Sequence, residues 1–171
     1  MKMLSVKTLF VFLFSVLCIS SQLSAEEFKT SVMGKHLSEI YSLHDQVQNR
    51  FSLTKLIIVY DDLHGFWGGT RITVLGSSGY TEKIQKEVGN KPAKVLSKTI
   101  SDKELYDLIK LLIEIESWEQ KIPERTPLPD ESRTYLHIST TQTSSSVWEW
   151  TNDEKKNERL IKIREMLDGL V

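Results

Sequence analysis

Apolar positions recur with different periods along the chain, and the changes of period mark its elements. Within HLSEIYSLHDQVQNRF (36–51), Leu37, Ile40, Tyr41, Val47 and Phe51 fall near one side of a helix, after a polar and loose stretch over 26–34. KLIIVYDD (55–62) is a β-branched apolar run, the pattern of a strand buried on both faces. TRITVLG (70–76) alternates instead, with Ile72 and Val74 on one face and Thr73 and Leu75 on the other. SSG (77–79) signals a turn, YTEKIQKEV returns as a third strand, NKP (90–92) breaks it, and AKVLSKTI supplies a further short strand.

SDKE (101–104) has the spacing of a capping box, and Leu105, Leu108, Ile109, Leu112 and Ile115 then form one apolar stripe of a helix. Pro123, Pro127 and Pro129 forbid helix in the connection that follows. RTYLHIST (133–140) and SSSVWEWT (144–151) read as two strands around a polar turn. TNDE (151–154) has the form of a second capping box, opening a last helix whose stripe is Leu160, Ile163, Leu167 and Leu170. Hairpins without long crossovers, with few helices to cover them, predict an α+β fold: two layers, a mainly antiparallel sheet covered by two or three helices. The domain spans 55–171, preceded by an N-terminal helical segment over 26–54.

The first 25 residues are set apart from this pattern. Lys2 and Lys7 precede the apolar run Leu9–Ile19, and SSQLSA follows, the order of a secretory signal cleaved after Ala25. That run is shorter than the about 20 residues a membrane span needs, so export to the periplasm or the outside is expected. The sole cysteine, Cys18, lies in this leader, which leaves an exported chain free of disulfides and of bacterial type. Without Lys2 and Lys7, 20 basic side chains stand against 23 acidic ones, interspersed as in DEKKNER (153–159). No basic stripe is present to neutralise phosphates, which argues against nucleic acid as a partner, and no membrane association is expected after cleavage.

HGFWGGTRITVLG (64–76) holds the strongest candidate site. Gly65, Gly68 and Gly69 lie between two strands and lack the spacing of a phosphate-cradling loop, so they read as the bend of a hairpin. Phe66 and Trp67 at its tip are candidate contact residues, since aromatics dominate interface hot spots. Trp148 and Trp150 share a strand face about 6.8 Å apart; the amphipathic alternation of VWEWT turns them toward the helices, with a sugar-stacking platform as the other reading. The proline-stiffened PERTPLPDES offers Arg125 and Asp130 as a second contact edge.

Catalytic parts are scarce. No cysteine nucleophile remains after the leader, Tyr80 stands where GSSGY would need glycine to form G-x-S-x-G, and His36, His44, His64 and His137 form no zinc-binding pair on one helix. Asp61, Asp62 and His64 are close enough in sequence for weak metal binding, but no metal or other cofactor is expected. The chain therefore reads as a non-enzyme.

The succession of GFWGG between strands, ESWEQKIP at a helix end, PDESRTYLHI entering a strand and a closing helix resembles a known layout. It is similar to that of emfourin-type inhibitors of secreted metalloproteases over residues 55–170, and the segment over 35–52 has no counterpart there. It also resembles uncharacterised exported bacterial domains that carry W-E-Q, P-D-E-S and W-E-W in this order. The first resemblance implies a protein inhibitor of a secreted protease and assigns no inhibitory residue. The expected function is thus an exported, non-catalytic domain that binds another protein. A glycan-binding module of the envelope and a hydrolase without a recognisable motif are the alternatives.

Overall fold

The computed structural model describes residues 32–42, 56–120 and 122–171. A first helix, α1, covers 32–42. Strands β1 (Ile57–Asp61), β2 (Gly69–Leu75), β3 (Tyr80–Lys86) and β4 (Lys94–Thr99) follow, then helix α2 (Asp102–Glu114), β5 (Arg133–Ser139), β6 (Ser144–Trp150), a 3-10 segment (Thr151–Lys156) and helix α3 (Glu158–Leu170). The six strands form one antiparallel sheet in the order β4-β3-β2-β1-β5-β6. This is the two-layer α+β arrangement that the hydrophobic pattern predicts. The leader expected over 1–25 and most of the 26–54 segment lie outside the described residues, as do Val47, Phe51 and His44.

The core lies between one face of the sheet and the three helices. Ile58, Ile72, Val74, Leu136, Ile138 and Val147 project from the strands onto Leu105, Leu108, Leu112, Leu160, Ile163 and Leu167. Each such side chain, fully buried, stabilises the fold by about 2 kcal/mol. The α2 capping box is present: the Ser101 hydroxyl accepts from the Glu104 amide, and the Glu104 carboxylate accepts from the Ser101 amide at 2.6 Å. Helix α2 ends on Glu116 at φ 48°, with the Ser117 amide donating to Leu112 and that of Glu116 to Ile113. That is a Schellman closure built on a residue other than glycine. Helix α1 is held by the Tyr41–Tyr106 stack, 4.7 Å between centroids, and by the Trp118 indole lying against Gly34.

Four expectations are corrected. Residues 32–34 are helical rather than loose, because Met33 is fully buried and starts the stripe that Leu37 and Ile40 continue. Strand β1 is buried on one face only: Ile58 is inaccessible while Ile57 is 38 % exposed, since all three helices pack on the same side. TNDE is not a capping box. The Thr151 hydroxyl donates to the Ser132 carbonyl and Glu154 accepts from Thr134, so both are drawn toward β5, and Asn157 caps α3 instead.

The fourth concerns the tryptophans. Val147 pairs with Leu136 and takes the core face, which puts Trp148 and Trp150 on the opposite one. Arg133 stacks there over Trp148, 4.2 Å from its ring centroid, and the Trp150 indole donates to the Arg125 carbonyl at 3.1 Å. Stacking and the proline loop thus cover these rings, a cover that alternation along β6 alone does not reveal.

Candidate functional site

The β1–β2 connection is a hairpin whose last pair is His64 and Gly68, each amide donating to the other's carbonyl at 2.7 and 3.1 Å. Gly65, Phe66 and Trp67 form the tip. Its backbone is pinned from several sides. The His64 Nδ1 accepts from the amides of both Phe66 and Trp67 at 3.1 Å, which requires that nitrogen to be unprotonated. Lys86 Nζ donates to the Gly65 carbonyl, and the Gly89 amide donates to that of Phe66 at 2.9 Å. Gly68 and Gly69 have φ of 82° and 124°, and a Cβ on either would sit 2.3 Å from a backbone carbonyl oxygen, that of Lys86 or Asp62. These two glycines are demanded by the bend itself.

The side chains at the tip contrast with this locked backbone. Phe66 and Trp67 are 58 % and 61 % exposed and meet each other edge to face, 4.9 Å between centroids. Such aromatics carry a large apolar area that a partner can cover, on a tip that has little conformational freedom left to lose.

The proline loop approaches the same end of the sheet. Leu128-Pro129-Asp130-Glu131 closes as a turn, with the Glu131 amide donating to Leu128 at 3.1 Å and Asp130 at φ 59°. Arg125 forks onto both Glu131 oxygens at 2.6 and 2.7 Å and also binds Asp153. The Glu131 side chain, 1 % exposed, further accepts from the amides of Leu128 and Asn152. Chiefly through Arg125, its carboxyl is held down at about 2. The half-buried Arg125 therefore spends its guanidinium on contacts within the protein, holding the loop, whereas Asp130 is exposed.

Between the two loops lies a cleft of about 530 Å³. Trp67 and Gly68 line it from the hairpin, Asp130 and Glu131 from the proline turn, and Asn152 and Glu154 from the 3-10 segment. Of the sequence-chosen contact residues, Trp67 and Asp130 thus share one cavity, while Phe66 stands beside it and Arg125 behind it. Asn152 and Glu154 were missed by sequence reasoning, because TNDE carries the signature of a helix cap.

A charge network backs the cleft. Arg164 binds Asp62, Asp168 at 2.6 Å and the Thr70 hydroxyl at 3.0 Å, and Lys83 reaches Asp168 at 2.8 Å. Burial, with Asp62 nearby, pushes the Tyr60 phenol well above its ordinary value. Against its partial burial, Lys83 and Arg164 hold Asp168 below the usual carboxylate range. The Asp61, Asp62 and His64 triplet disperses. Asp61 serves Arg71 and Tyr135, Asp62 serves Arg164 and the Thr70 amide, and His64 serves the tip. Among the described residues, no three His, Cys, Asp or Glu side chains are grouped to hold a metal ion, and no helix is long and apolar enough to cross a membrane. No protein-family model, curated protein or solved structure matches the chain.

Proposed function

We propose that this chain is an exported, non-catalytic binding domain that grips another protein with Phe66 and Trp67 and seats part of it in the adjoining cleft. One observation carries the reading: two large aromatics stand exposed on a tip whose backbone is fixed by His64, Lys86 and Gly89. A pinned loop gives up little entropy on association, so its buried apolar area converts efficiently into affinity. The secretory pattern of residues 1–25 supports export. The layout resemblance makes a secreted metalloprotease the first partner to assay. Capture of partners from secreted and envelope fractions, followed by calorimetry on each, tests the proposal. Phe66→Ala with Trp67→Ala is expected to weaken the captured complex at least tenfold. Unchanged affinity for every partner overturns it.

Two other readings are weighed against this one. A glycan platform at Trp148 and Trp150 is disfavoured, since the indoles meet at 79° and Arg133 lies over them both. A hydrolase gains from acidic side chains of separate segments meeting at one cleft with His64. However, Arg164 neutralises Asp62, Arg125 neutralises Glu131, and the His64 Nδ1 is committed to the tip. Of the carboxylates lining the cleft, Asp130 and Glu154 are the two without a cationic partner among the described residues. Turnover of a peptide or glycan substrate that disappears in Glu154→Gln would favour the hydrolase.

A further inference from the structure

We infer that the cleft beside Trp67 is a receptor for a cationic side chain, an arginine presented by the bound protein. This rests on the binding reading and names the chemistry of what enters. The cleft combines space, an aromatic wall and an unbalanced charge. Its volume of about 530 Å³ exceeds that of a single side chain, and Trp67 offers it an indole that no cation of the protein stacks upon among the described residues.

Four carboxylates line the cavity, and His64 is the one basic side chain among its lining residues. Two of the four are already neutralised from behind: Asp62 by Arg164 and Glu131 by Arg125. The other two are not. Glu154 accepts the Thr134 hydroxyl at 2.6 Å, and neither it nor Asp130 has a cationic partner within 4.0 Å among the described residues. A carboxylate or phosphate entering here meets net negative charge, whereas a guanidinium gains from both acids and from the indole face. Arginine suits the site better than lysine, because its planar group stacks on an indole while its edge donors fork onto carboxylates.

The inference is tested by nuclear magnetic resonance titration of the purified protein with acetyl-Gly-Arg-Gly-amide and its citrulline counterpart, equal in shape and without charge. The arginine peptide is expected to shift the Trp67 indole N–H saturably, with Asn152 and Glu154 amides following. Citrulline leaves them in place, and the lysine peptide shifts them more weakly. Asp130→Asn and Glu154→Gln keep the positive φ and the Thr134 acceptor, so the fold persists, as circular dichroism would verify. Each is expected to weaken the arginine peptide about threefold, and the pair about tenfold. Equal response to citrulline, no saturable shift with arginine, or full binding by the double variant overturns the inference. If these fail while partner affinity still depends on Phe66 and Trp67, the binding reading survives alone. If arginine binds here but no partner needs those aromatics, the binding reading is the one that falls.

Discussion

Replacing Gly68 with alanine tests whether the glycines of the β1–β2 connection are set by geometry. At φ 82° an L-residue loses about 1 kcal/mol. The added Cβ would lie 2.3 Å from the Lys86 carbonyl oxygen, with Glu87 backbone at 2.9 Å, so a flexible side chain cannot simply move aside. Relief requires drawing the end of β3 away from the tip. That sacrifices the Lys86 to Gly65 and Gly89 to Phe66 hydrogen bonds, at about 1 kcal/mol each. The expected loss is about 3 kcal/mol, which lowers Tm by roughly 10 °C for a domain of this size. Gly65→Ala is the internal control, because nothing lies within 4 Å of its Cβ; it should be neutral or stabilise by up to about 0.5 kcal/mol. Urea titrations followed by tryptophan fluorescence give both midpoints. Equal midpoints for the two variants would refute the geometric account of the bend.

Glu116→Gly removes the positive-φ strain at the end of α2 and should stabilise the protein by about 1 kcal/mol, read from thermal unfolding. Glu131, at about 2 in the folded protein against an ordinary 4.5, contributes stability that is complete above pH 4.5 and lost as pH falls through 2. Glu131→Gln should therefore flatten the decline of Tm over that window relative to wild type, and parallel curves would contradict the role given to Arg125. Val147→Ala, which opens a cavity under the helices, should cost about 2 kcal/mol. In Trp148→Ala the core stays filled, and the main loss is the Arg133 stack, worth about 1 kcal/mol; the reverse order in chemical denaturation would restore the tryptophans to the core.

The layers of the fold were legible because burial follows periodicity in most elements. The stripes of α2 and α3 and the alternation of β2 each carry one apolar face and one polar face, so local pattern and tertiary packing agree. Strand β6 breaks that agreement. SSSVWEWT sets Val147 and Glu149 on one face against two indoles on the other, and the preference of Glu149 for water favours the indoles for the core. Yet Val147 pairs with Leu136, and Leu136 pairs in turn with Tyr60 of β1, a strand far back along the chain, so the face is decided by the sheet. Thr151 and Glu154 misled for a related reason: a cap signature is local, whereas Ser132 and Thr134, which claim those side chains, lie just before and within β5. Lys83, Asp168, Arg164 and Asp62 were equally silent, since their network joins β3, α3 and the hairpin base. Phe66, Trp67 and Asp130 were visible in sequence as exposed-loop types. Their sharing one end of the sheet required the fold.

Oxidative footprinting of the protein with and without a captured partner tests the central claim most directly. Hydroxyl radicals label accessible side chains, and Phe66 and Trp67 are among the most exposed apolar groups of the free molecule. Binding through the hairpin tip and its cleft predicts that both lose label in the complex while Ile57, Tyr80 and Val95, on the sheet face turned away from the helices, keep theirs. Protection of those three with Phe66 and Trp67 labelled as in the free protein would contradict the account.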